Sequence, residues 1–166
     1  AGFSAGNTSA SRSAFYEVNK LMEQARGWIP ANAWLNAQMP TNVNLTQTCN
    51  AFYSPSAGTI NFYRSGGGCR NTGEIAAVFD HEWGHALDDN DSGGALSVSS
   101  EAYADTAAIY RLQASCVGYG FFWTLNDGCG TTSDGTGFNA NESLTGTHCT
   151  LDCSGVRDAD WDKHAD

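Results

Sequence analysis

Residues 80–88 read Asp80-His81-Glu82-Trp83-Gly84-His85-Ala86-Leu87-Asp88, and the five from His81 to His85 form the pattern His-Glu-x-x-His. Ile75, Val78, Phe79 and Leu87 recur at the spacing of a helix with one buried side. Asn71 or Thr72 is expected to open this helix, with Glu74 suiting its amino-terminal dipole, and the polar run DDNDSGG at 88–94 to close it. On a helix, residues four apart stand one above the other on the same face. Two imidazoles so placed can reach one tetrahedral zinc ion, and Glu82 lies beside that ion without ligating it. From there its carboxylate can take a proton from an attacking water and hand it to a leaving amine. The plainer reading, two partly exposed histidines with no metal, needs two of the chain's four His to meet on one turn by coincidence.

A catalytic zinc needs a third protein ligand and one open position. Two candidates follow the motif. Glu101 opens a second, Ala-rich helix expected from about residue 101 to 113 and capped by Ser99 or Ser100. Asp91 occupies the position at which HExxHxxGxxH enzymes carry their third ligand. Asp88, however, stands where that pattern needs the Gly of its sharp turn, and both methionines, Met22 and Met39, precede the motif, so the Met-turn of that class is missing. Glu101 is the better candidate.

Ser100-Glu101-Ala102-Tyr103-Ala104-Asp105 resembles the NExxSD element of thermolysin-like gluzincins, and Asn50-Ala51-Phe52-Tyr53 resembles their NAFW edge strand. CNAFY, INFYRSGGGC and HEWGHALD together are similar to the fungalysin-related branch of these secreted zinc metallopeptidases, over about Ser13 to Leu112. The resemblance implies an α+β zincin-type domain, with a short-stranded sheet and its edge strand over the HExxH helix. It implies zinc held by His81, His85 and Glu101, with Glu82 as general base and then acid. Asp105, one turn after Glu101, would fix the ring and tautomer of His81. Asn50 and Ala51 would align an extended peptide by strand addition; the alternative is an ordinary sheet strand. Two departures follow. No Tyr lies between His85 and Glu101, where the family places an oxyanion donor. The later histidines, His148 and His164, sit in no recognisable copy of the family's His motif, so the donor is one of them, a nearby Tyr or Arg, or a residue of further chain beyond Asp166.

Asp88, Asp89 and Asp91 crowd the carboxyl end of the motif helix, where carboxylates oppose the dipole and one another. Either a calcium ion or a solvated acidic loop accommodates them. The tail acids Asp158, Asp160, Asp162 and Asp166 read as solvated.

The chain of 166 residues reads as one domain: a surface arm at 1–12, a core at 13–115, and an irregular Cys-containing region at 116–166. In the core, Phe15, Val18, Leu21, Met22 and Ala25 predict a helix from Ser13 to about Arg26, followed by an aromatic, Pro-punctuated loop or short helical turn at 28–40. Short strands are expected near 43–45, 50–53 and 59–63. The six Cys form no CxxC, which favours disulfides and an extracellular, secreted protein over free thiols or an all-Cys metal site. Cys49 and Cys69 flank two strand candidates and are expected to pair; the other four leave three pairings open. Eight basic against 18 acidic residues, net −10, argue against nucleic acid or an anionic membrane as partner. No apolar run approaches the roughly 18 residues of a membrane span. The opening AGFSAGNTSA has no initiator Met or signal-like core, so any targeting segment is expected to have been removed. Two functions remain: a secreted zinc metalloendopeptidase, or a non-catalytic secreted module that keeps zinc at a substrate- or partner-binding surface. The presence of Glu82, dispensable for binding zinc, favours the first.

Overall fold

The computed structural model describes residues 6–97, 99–118, 120–121 and 157–158, and among these the chain is an α+β mixture of three helices and a small sheet. The first helix, α1 (Ser9–Trp28), starts at Ser9 rather than Ser13, and the expected surface arm gives up its last four residues to it. Thr8 and Ser11 form a capping box: Thr8 Oγ1 accepts from the Ser11 amide at 3.2 Å, and Ser11 Oγ from the Thr8 amide at 2.8 Å. Ala10 and Ala14 are buried and carry the apolar stripe one turn further back with side chains too small to mark a hydrophobic period.

After a short 3-10 turn at Ala33–Asn36 come three strands, β1 (Thr41–Leu45), β2 (Ala51–Ser54) and β3 (Thr59–Tyr63), ordered β1-β3-β2 in the sheet. The middle strand β3 pairs parallel with β1 and antiparallel with β2, and its Ile60, Asn61 and Phe62 are all buried. This leaves β2 at the sheet edge. The Cys49–Cys69 disulfide, Cα atoms 5.2 Å apart, closes the β2–β3 unit as the spacing predicts.

Asn71 caps a 3-10 turn, Thr72–Glu74, and the helix bearing the motif, α2 (Ala76–Asn90), begins only after Ile75. Thr72 is not a cap. Its fully buried hydroxyl accepts from the Tyr63 amide at 2.9 Å and stands 3.0 Å from the Asn50 carbonyl, to which it can donate. One side chain thus ties the end of β3 and the approach to β2 to the entrance of α2. The helix buries Phe79 against Phe62, ring centroids 4.0 Å apart, and Trp83, whose indole N–H donates to Met22 Sδ at 3.4 Å.

The third helix, α3 (Ser100–Leu112), packs on α2 at Gly84. Near its end Arg111 faces Glu17 of α1 and stands 3.7 Å from Asp80 of α2; Asp80 is fully buried and the other two side chains are partly so. Neither Asp80 oxygen has a hydrogen-bond partner among the described residues. Burial pushes its pKa up to about 8, against the lowering effect of Arg111.

Beyond α3, β4 (Cys116–Val117) pairs antiparallel with β5 (Arg157–Asp158), and Cys116 is disulfide-bonded. The rest of the expected irregular region lies outside the described residues, with His148, His164 and the other three Cys. No helix among the described residues is long and apolar enough to cross a membrane.

Candidate metal centre and its cleft

His81 and His85 stand one turn apart on α2 with their Nε2 atoms 3.1 Å from each other. Glu101, in the first turn of α3, places Oε2 3.2 Å from His81 Nε2 and Oε1 3.2 Å from His85 Nε2. Among the described residues, this is the one set of three His, Cys, Asp or Glu side chains whose ligand atoms converge. A tetrahedral ion with bonds of about 2.0–2.1 Å keeps its ligand atoms about 3.3–3.4 Å apart. The separations here, with Glu101 meeting each imidazole through a different oxygen, come within about 0.3 Å of that spacing, so the donor set fits a metal ion. Asp91, the alternative third ligand, is not part of the set.

Each imidazole is also held from behind. Asp105 Oδ1 accepts from His81 Nδ1 at 2.7 Å, and Ser100 Oγ lies 2.9 Å from His85 Nδ1. Fixing both Nδ1 atoms turns both Nε2 atoms to the same point. Asp105 therefore sits where the sequence placed it. Ser100 is different: it is expected only as a helix cap, yet its hydroxyl serves His85, and Ser99, the residue at the cap position, makes no side-chain cap bond. The signal available in the sequence was its place immediately before Glu101. Burial, the largest influence, disfavours a charge on His81; the hydrogen bonds of Asp105 and Glu101 and the nearby Glu82 outweigh it and raise the pKa to about 9. At His85 burial dominates, reinforced by His81, and the shift is downward.

The three residues line a cleft of about 1120 Å³. Glu82, 6% exposed, lines it too, beside the two histidines but outside the ligand set. Asn50, Ala51, Phe52 and Tyr53 line it as well, so β2 and the residue leading into it form another part of its wall. Asn50 Oδ1 accepts from the Ala51 amide at 2.9 Å.

The ligand atoms of Asp88, Asp89 and Asp91 do not converge as a set of three. Asp88, fully buried, accepts from the Leu96 amide at 3.0 Å. Asp91 accepts from the Gly93 amide at 2.9 Å and the Tyr103 hydroxyl at 3.1 Å, and Asp89 from the Tyr53 hydroxyl at 2.8 Å. Successive helical residues project about 100° apart, so these carboxylates diverge, and each accepts from a donor of its own.

Comparison of the chain with protein-family models, with curated proteins and with solved structures finds no match to any of them.

Proposed function

We propose that the chain is a secreted zinc metalloendopeptidase of the thermolysin-like gluzincin kind. The observation that carries this reading is the position of Glu82, in a cleft beside a converging His81–His85–Glu101 set and walled in part by an edge strand. Two imidazoles and a carboxylate with an open position are the donor set of hydrolytic zinc sites. When bound, zinc would polarise the scissile carbonyl and acidify the attacking water. The remaining roles belong to the chain. The outer edge of β2 offers backbone groups to an extended substrate. Asp105 and Ser100 hold the imidazoles in register, Glu82 takes the water's proton, and the same carboxyl then gives it to the leaving amine. The arrangement of a motif helix, an edge strand above it and a following helix with the third ligand supports a zincin-type architecture. The disulfide at Cys49–Cys69 and the bonded Cys116 support an extracellular site of action.

One observation favours the non-catalytic module: apart from His81 and His85, no His, Lys or Arg among the described residues lines the cleft to stabilise an oxyanion. Hydrolysis of casein separates the two readings. The peptidase loses activity on chelation and regains it with zinc. Glu82→Gln keeps its zinc and loses activity at or above the upper end of the ~10²–10⁴-fold typical of general acid–base residues, since one carboxylate serves both proton transfers. Zinc-loaded wild-type protein that cleaves nothing, or Glu82→Gln within about tenfold of it, a margin well short of that range, overturns the mechanism.

A further inference from the structure

Of the three aspartates at the end of α2, only Asp89 lines the cleft. It stands one turn beyond His85 and so continues the stripe of His81 and His85 towards the helix carboxyl end. Its Oδ2 accepts the Tyr53 hydroxyl, which leaves Oδ1 with no hydrogen-bond partner among the described residues. The other carboxylates lining the cleft are Glu82 and Glu101, both assigned above to the metal and its chemistry, and no Lys or Arg among the described residues lines it. The carboxyl terminus of the helix adds partial negative charge at the same end. The opposite end is apolar, with Val78, Val117 and Phe121.

We propose that Asp89 makes this cleft selective for peptides with an Arg or Lys close to the bond cleaved, on one side of it only. The inference rests on the peptidase reading and names its substrate class. Asp89 lies about 9 Å along the helix axis from the midpoint of the two histidines, at 1.5 Å per residue. An extended chain covers that distance in two to three residues at about 3.3 Å each. A guanidinium or ammonium group there meets the Oδ1 atom that Tyr53 leaves unused. A basic residue on the other side of the scissile bond meets the apolar end and gains nothing.

The test profiles the sites cut by the zinc-loaded protein in a mixed peptide library, then compares kcat/KM for an Arg peptide and its norleucine counterpart. Wild-type protein should show basic enrichment at one position within three residues of the cut, on one side. Asp89→Asn can still accept the Tyr53 hydroxyl but loses the charge, and the Arg-to-norleucine ratio should fall about tenfold. Tyr53→Phe keeps the carboxylate and should keep the preference, whereas Asp89→Lys should turn it towards acidic residues. Cleavage without basic enrichment, or an enrichment unchanged in Asp89→Asn, overturns the inference and leaves the peptidase reading standing. Zinc-loaded wild-type protein that cuts no peptide overturns that reading and the inference with it.

Discussion

Gly84 of α2 lies so close to Ala104 of α3 that a methyl group on it would stand 2.7 Å from the Ala104 Cα and 3.1 Å from its carbonyl oxygen. Ala104 sits between Glu101 and Asp105, so this contact sets how far both carboxylates reach towards the histidines. Gly84→Ala should push the helices apart. The gain in helix propensity, about 1 kcal/mol, is offset by an overpacking cost of about 1–3 kcal/mol. Stability should fall by up to about 2 kcal/mol while zinc affinity falls at least tenfold, within the range for displaced ligand supports. A competition titration with a zinc chelator checks this; unchanged affinity would mean that the contact does not set the site.

Glu101→Ala should abolish stoichiometric zinc, because it removes one of three ligands. Asp91→Ala should keep it. The second variant loses only the bonds from Gly93 and Tyr103, a stability cost of about 1–3 kcal/mol. Metal analysis of both proteins decides: an empty Asp91→Ala with a full Glu101→Ala reverses the ligand assignment.

Removing the groups behind the imidazoles should weaken metal binding without touching a ligand. Asp105→Ala and Ser100→Ala are each expected to lower zinc affinity about 10–100-fold, and Ser100→Thr, which keeps a hydroxyl, should recover most of the loss. Equal affinities in Ser100→Ala and wild type would reduce the 2.9 Å contact with His85 to a bystander.

The parts of this site written in one stretch of sequence were legible before any coordinates. His81, Glu82 and His85 follow from a single helical period, and Glu101 and Asp105 from the resemblance of Ser100–Asp105 to the gluzincin element. What joins the two helices was not legible. Gly84 has no side chain to announce a contact, and Ala104 looks like any helix-forming alanine. Ser100 reads as a cap because serine usually is one there. Thr72 reads the same way, and only the return of β3 beside it shows why its hydroxyl is buried. The surroundings of the acidic trio were hidden for a related reason: composition places three aspartates together, but helical geometry sends their carboxylates to Leu96, Tyr53 and Tyr103.

Tyr53 and Tyr103 should ionise late. Burial, then the bond to Asp89, pushes Tyr53 up to about 12; burial, then the charge and bond of Asp91, does the same for Tyr103. Both values lie above that of a free tyrosine. The folded state therefore holds these protons more tightly, and the stabilisation is complete below about pH 10. It is lost as the pH rises through about 12. Tyrosinate absorbance of wild type minus Tyr53→Phe isolates one residue. The missing step should lie near pH 12; a step near pH 10 would show that Asp89 does not hold the hydroxyl.

Arg111 carries the last prediction. Its guanidinium bonds Glu17 and faces Asp80, and the three side chains are 12%, 13% and 0% exposed. A buried ion pair adds little net stability when intact, because desolvation cancels most of the attraction, but removing one partner strands the other charge. Arg111→Met keeps much of the side-chain volume and strands the Glu17 carboxylate, while Asp80, its pKa already pushed up to about 8 by burial, is held further towards its neutral acid. The expected loss is about 3–5 kcal/mol, roughly ten degrees in Tm for a chain of this size. If stranded charge is the cause, Glu17→Gln added to Arg111→Met should restore part of the loss, whereas Glu17→Gln alone should destabilise. The sign of that coupling separates electrostatics from packing, since a lost packing contact at Arg111 would leave the two changes additive. A loss below about 1 kcal/mol, the level of an exposed pair, would mean that water reaches this cluster and that Asp80 is not sealed behind it.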